Sequence, residues 1–191
     1  VEADDVIADA NPLTNGVSTN EYVCIDDGCS PEDEIDWWKI YAYKGDVVQI
    51  GFSGSMNNGA WWCINDGWNA DFSLHDSGGS QVASQSMSDA SSSTTLSTTV
   101  PTAGYIYAKI KGKGSLCNDG VDYTLTPSIN QDNRDTDEDG FIDSEDDCDF
   151  TSGTSTNDRN GCIDTDSDGW SDPDDGWGPN NVADDFDSEP T

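Results

Sequence analysis

The chain has 191 residues, 39 of them Asp or Glu against 7 Lys or Arg, and a formal charge of −32. Such a polyanion is poorly suited to nucleic acid, whose phosphates attract Lys and Arg. Nowhere do eighteen apolar residues run together, so the sequence predicts no membrane-spanning helix.

Taken in order, the residues up to 129 predict an all-β domain. The opening Val1-Glu2-Ala3-Asp4-Asp5-Val6-Ile7-Ala8 is partly β-prone and stands apart from the first clear strand. Val1 in place of an initiator Met suggests processing, and a partial chain would look the same. The run from Ile35 to Tyr43 is rich in strand formers and meets a turn at Lys44-Gly45-Asp46. Val48, Ile50 and Phe52 alternate with Gln49 and Gly51. Phe72 and Leu74 alternate before the turn Asp76-Ser77-Gly78-Gly79, and Val82-Ala83-Ser84 follows it. Thr94 to Val100, then Tyr105 to Ile110, then Val121, Tyr123 and Leu125 complete the series. Short alternating strands between Gly-rich turns point to a β-sandwich or jelly roll. No segment shows a convincing helical period.

Residues 130–191 read differently. They hold 21 of the 39 acidic residues and few large apolar side chains, too few to bury a core unaided. Two twelve-residue stretches, Asp135–Asp146 and Asp164–Asp175, place oxygen side chains at positions 1, 3, 5, 9 and 12 and glycine at position 6. This is the ligand spacing of a calcium loop. Calcium takes six to eight hard oxygen ligands, so a short loop must curl its carboxylates around one point. The expected ligands are Asp135, Asp137, Asp139, Asp143 and Asp146 in one loop and Asp164, Asp166, Asp168, Asp172 and Asp175 in the other. The backbone carbonyls of Phe141 and Trp170 would add a ligand each. An acidic disordered tail or general surface acidification would also explain the charge. The two loops in the same phase, 29 residues apart, argue against both. Their flanks lack amphipathic periodicity, so EF-hand helices are not expected.

The six cysteines predict disulfides rather than zinc ligands, because no CxxC or Cys/His cluster is present and His75 is the sole histidine. Fifteen pairings exist. Proximity suggests Cys24–Cys29 and Cys148–Cys162, leaving Cys63–Cys117. Disulfides imply an oxidising compartment, hence an extracellular protein, secreted or on the cell surface.

Asp36-Trp37-Trp38-Lys39-Ile40, Lys44-Gly45-Asp46-Val47-Val48, Ala70-Asp71-Phe72-Ser73-Leu74, Gly104-Tyr105-Ile106-Tyr107 and Asp122-Tyr123-Thr124-Leu125-Thr126 together resemble the bacterial pre-peptidase C-terminal domain. That resemblance implies a secreted β-sandwich, commonly an accessory module. The Trp61-Trp62-Cys63 insertion departs from its pattern. From Asp135 onward, Asp146-Asp147-Cys148, Gly153 to Cys162 and Asp164 to Gly169 resemble thrombospondin type 3 calcium repeats of the microbial kind. That resemblance implies a calcium-wrapped stalk with a cysteine bridge between loops.

No GxSxG, HExxH or Gly-rich phosphate loop is present, so no catalytic activity is expected. The sequence therefore predicts a non-catalytic, extracellular, calcium-binding structural protein. It would have a sandwich at 1–129 and a repeat tail at 130–191, and would assemble as a homo-oligomer or homopolymer. The unpaired edges of a sandwich, the detached N-terminal stretch and the uncovered Trp170, Trp177 and Phe186 of the tail motivate that assembly. An adhesive or carbohydrate-binding module is the alternative, with Trp61, Trp62 and Trp68 as glycan-stacking candidates against simple packing around Cys63. An accessory domain of a secreted enzyme is a third reading.

Overall fold

The computed structural model describes residues 6–24, 35–57, 69–88, 92–113 and 120–174. It divides into two compact units. The first takes in Val1–Ala42, Val47–Val100 and Gly104–Asn130. The second comprises Gln131–Thr191 together with the turns Tyr43–Asp46 and Pro101–Ala103.

The first unit is a β-sandwich. Among the described residues its strands are β1 (Asn11–Pro12), β2 (Thr19–Cys24), β3 (Ile35–Ala42), β4 (Val47–Asn57), β5 (Asn69–His75), β6 (Gln81–Ser88), β7 (Ser93–Thr99), β8 (Gly104–Lys113) and β9 (Gly120–Asn130). One sheet has the order β1-β3-β8-β5-β6 and the other β2-β9-β4-β7. All pairings are antiparallel except β1 with β3. Among the described residues the only helical element is a 3-10 turn at Ile7–Asp9. That turn stands where the sequence suggested a β-prone stretch.

Period-two alternation explains the core. On β4 the side chains of Val48, Ile50 and Phe52 are buried while Gln49 and Ser53 are exposed. On β8 the buried set is Ile106, Ala108 and Ile110, and on β9 it is Val121, Tyr123 and Leu125. Phe52 bridges the sheets by stacking on Phe72 at 5.5 Å and on Tyr123 at 5.7 Å between centroids. One polar trio lies in this apolar layer. Trp38 Nε1 donates to the Tyr123 hydroxyl at 2.9 Å, and that hydroxyl donates to Asp36 Oδ2. The trio joins β3 of one sheet to β9 of the other. Burial and the Asp36 carboxylate raise the Tyr123 phenol well above its ordinary pKa, so it stays protonated and donating.

The second unit shows no regular strand or helix among its described residues. Phe150 is 82 % exposed and Ile163 48 %, so apolar burial is not what orders it. One disulfide is present there, Cys148–Cys162, with Cα atoms 5.1 Å apart, as the sequence suggested. The suggested pairs Cys24–Cys29 and Cys63–Cys117 lie outside the described residues, at Cys29, Cys63 and Cys117.

Candidate metal centre

The two acidic loops share one backbone design. Position 4 has a positive φ in both, 65° at Glu138 and 67° at Ser167. Position 6 is glycine with φ of 110° at Gly140 and 93° at Gly169. These left-handed steps turn the chain so that alternate carboxylates fall on the inside of the curve.

The hydrogen bonds repeat in the same way. Gly140 N–H donates to Asp135 Oδ2 (3.2 Å) and Gly169 N–H to Asp164 Oδ2 (2.9 Å). Asp139 N–H reaches Asp137 Oδ1 and Asp168 N–H reaches Asp166 Oδ1, both at 3.2 Å. Phe141 and Trp170 donate their N–H groups to Asp139 Oδ1 and Asp168 Oδ1, both at 2.9 Å. The result is two triplets, Asp135/Asp137/Asp139 and Asp164/Asp166/Asp168. In each, one oxygen per residue lies within 4.8 Å of the others.

The remaining expected ligands fall in other places. Asp143 and Asp172, at position 9, stand outside the triplets. Each accepts from the backbone N–H and the hydroxyl of the threonine at position 2: Thr136 at 2.8 and 2.8 Å, Thr165 at 3.0 and 2.5 Å. They clasp the loop shut. Asp146 Oδ1 accepts from Cys148 N–H at 2.7 Å. Burial raises its carboxyl pKa, and the charges of Asp139, Asp137 and Asp149 push the same way, which places it within electrostatic reach of the first triplet. Asp175 lies outside the described residues.

The first loop is the more enclosed. Asp135 is only 5 % exposed, and its Oδ1 has no hydrogen-bond partner. Asp137 Oδ2 is buried without a partner as well. Burial raises the Asp137 carboxyl pKa, and the charges of Asp139 and Asp135 add to that against the backbone bond from Asp139. Buried carboxylate oxygens with no proton donor, in a cluster whose oxygens lie within 4.8 Å of one another, are what a cation site requires.

Sequence reasoning missed the residues that frame the loops. Lys44 Nζ pairs with Asp135 Oδ2 at 2.6 Å, and Asp135 N–H donates to the Lys44 carbonyl. Arg134 grips Asp46 through Nε and Nη2 at 3.0 and 2.9 Å and lies over the Tyr43 ring. These partners are 88 to 91 positions apart in sequence, beyond what local pattern reveals. Thr at position 2 and Asp at position 9 in both loops was the one legible signal. Between the loops, Thr156 and Asn157 both donate N–H to the Gly169 carbonyl, and Asn160 N–H donates to Asp147 Oδ2. Ser155, fully buried, donates to the Arg159 carbonyl at 2.5 Å and accepts from Cys162 N–H at 3.1 Å.

The glycines give a test. A Cβ on Gly140 would meet nothing within 4 Å, whereas one on Gly169 would lie 2.6 Å from Asn157 Nδ2, which donates to the Asp168 carbonyl. Gly140→Ala should cost about 1 to 2 kcal/mol from backbone strain alone. Gly169→Ala should cost more, because Asn157 must also move. Unfolding melts at a fixed metal concentration decide this, and equal losses would contradict the loop geometry.

No family model matches the chain, and no curated protein does. Solved structures do. The pre-peptidase C-terminal domain of collagenase from Bacillus anthracis is 14 % identical with a TM-score of 0.41, over 63 % of this chain and 94 % of that one. PliG of Aeromonas hydrophila, a periplasmic inhibitor of g-type lysozyme, is 13 % identical with a TM-score of 0.40, over 63 % of this chain and 96 % of that one. A CBM4 structure is 12 % identical with a TM-score of 0.39, over 58 % and 71 %.

The remaining chemistry-bearing group is His75. Its Nε2 bonds Ser73 Oγ and its Nδ1 bonds the Gly79 carbonyl, both at 3.0 Å, while its ring meets the edge of Trp37. Trp61, Trp62, Trp68, Trp177 and Phe186, singled out in the sequence, lie outside the described residues.

Proposed function

We propose that the chain is a non-catalytic extracellular module in which a β-sandwich carries a calcium-bound repeat, and that its role is structural. The observation that carries this reading is the buried, partnerless Oδ1 of Asp135 inside a carboxylate triplet whose design recurs in the second loop. The donor set is all oxygen, which suits calcium. Zinc favours Cys and His, and magnesium keeps several waters in strict octahedral geometry. In this reading the two triplets bind the ions and the carbonyls of Phe141 and Trp170 contribute a ligand each. Asp146 and Asp175 complete the shells, while Asp143 and Asp172 keep the loops closed. The Cys148–Cys162 disulfide supports an oxidising compartment.

Self-assembly has support of its own. β6 and β7 are edge strands, and neither carries a charged residue or a proline, the usual guards against edge pairing.

Calorimetric titration of the chelator-stripped chain is expected to show one calcium per triplet. Asp137→Asn should lose the first and Asp166→Asn the second. Absence of saturable heat at millimolar calcium would overturn the calcium reading. Sedimentation of the same samples reads assembly, where a monomer at every calcium level would remove the homopolymer and leave the ion sites standing.

A further inference from the structure

The bases of this chain are few and most are spent. Lys44, Lys113, Arg134 and Arg159 each pair with an aspartate. Lys39, Lys109 and Lys111 make no ion pair among the described residues, although Lys111 lies opposite Asp71 on β5 and, against the effect of burial, adds to the field that lowers its carboxyl pKa. All three lie on one face. Lys109 and Lys111 alternate along β8 with the buried Ala108 and Ile110, so they point away from the core. Lys39 lies opposite Tyr107 on the neighbouring β3, whose inward residues Trp38 and Ile40 are buried. The outer face of the five-stranded sheet is thus a cationic surface on a strongly anionic protein.

Aromatic rings share that face. Lys109 lies 5.0 Å from the Trp37 ring centroid and Lys39 5.6 Å from that of Tyr105. Tyr105 is 42 % exposed and meets Tyr41 edge-on at 5.3 Å. Beside the lysines a groove of about 520 Å³ runs over β8, β5 and β6, where Ser73, Ser84, Ser86 and Gln81 line it with hydroxyl and amide groups. Asp71, the acid in that groove, is held by Lys113 and by the Ser86 hydroxyl.

We propose that this face binds an anionic polysaccharide, with Lys109 and Lys111 on its carboxylate or sulfate groups. Ser and Gln side chains of the groove meet its hydroxyls, and the exposed face of Tyr105 stacks on a sugar ring. Charge complementarity selects an anion. The hydroxyl and amide lining selects one rich in hydroxyl groups, and the aromatic row suits sugar rings. An extended acidic peptide would be expected at a sheet edge, where backbone groups are free, rather than across the face. The net charge of the protein does not forbid the contact, because the Debye length is about 8 Å at physiological ionic strength and more distant carboxylates are screened. The site lies wholly in the sandwich unit and does not depend on the calcium reading.

The probes are dextran sulfate and uncharged dextran, which share a backbone, titrated into the full chain at fixed calcium and again in chelator. The chain should bind dextran sulfate in both conditions and dextran far more weakly. Lys109→Gln/Lys111→Gln should weaken dextran sulfate binding by about tenfold or more and flatten its salt dependence, the mark of lost ionic contacts. Tyr105→Ala should weaken it with the salt dependence kept. Melting curves of the variants confirm that the sandwich stays folded, as expected for outward-facing residues. Undiminished binding by the double lysine variant overturns the proposal, as does binding that vanishes in chelator, which would mean calcium bridging to the acidic loops. Equal, lysine-dependent binding of poly-aspartate overturns it too, reassigning the face to acidic peptides.

Discussion

Chelation is expected to unfold the Asp-rich unit and leave the sandwich intact. Three carboxylates per loop sit with oxygens inside 4.8 Å, where each like-charged pair repels by roughly 3 kcal/mol at the effective dielectric of a protein surface, before salt screening. The second unit has little apolar burial to set against that repulsion, with Phe150 and Ile163 both exposed. If the triplets bind ions as proposed, that binding is folding energy for this unit. The core of the first unit, built on Phe52, Phe72, Leu74, Ile110 and Leu125, includes none of the loop residues. Limited proteolysis in chelator should cut beyond about residue 130, yielding a resistant fragment that ends near β9. Equal resistance of both units with and without chelator would refute ion-dependent order.

Tyr123→Phe should be the most damaging single-atom deletion in the sandwich, at about 2 to 3 kcal/mol. Tyr123 is 2 % exposed and Asp36 1 %. The hydroxyl is a donor to a buried carboxylate and an acceptor from the Trp38 indole, so its removal takes a hydrogen bond from each of two groups in an apolar layer. The lost bonds also cross from one sheet to the other, where nothing in the backbone ladder replaces them. Urea unfolding of the variant beside Tyr105→Phe, an exposed control, measures the difference. Losses under about 0.5 kcal/mol for Tyr123→Phe would show that the trio is ornamental to stability.

Most of the sandwich was legible because its strands alternate. Val48, Ile50 and Phe52, or Ile106, Ala108 and Ile110, announce a strand with one buried face. β2 was not legible: its run Thr-Asn-Glu-Tyr-Val-Cys is mostly polar, and it becomes a strand by pairing with β9. β1, of two residues, is set by its partner β3 alone. The same alternation could have exposed Asp36, which shares the inward phase of Trp38 and Ile40, but it passed as one more member of a strand-forming run. At the acidic loops, spacing picked out the aspartates at positions 1, 3 and 5 that the fold brings together, because the loop is local. Lys44 and Asp46 escaped notice because their partners are brought near only by the fold.

The disulfide between Cys148 and Cys162 has a consequence for reversibility. It closes a covalent ring over the segment that touches both loops, through the Asn160 side-chain amide to the Glu145 carbonyl on one side and Asn157 to Gly169 on the other. Should chelation unfold the unit, the ring would still limit how far the freed chain can wander, a restraint worth about 3 kcal/mol for a ring of this length. Recovery on the return of ions is then a local reclosing rather than a fresh search. In the calcium reading, the oxidised bridge would hold the two loops near their ion-bound spacing, and reduction would release them.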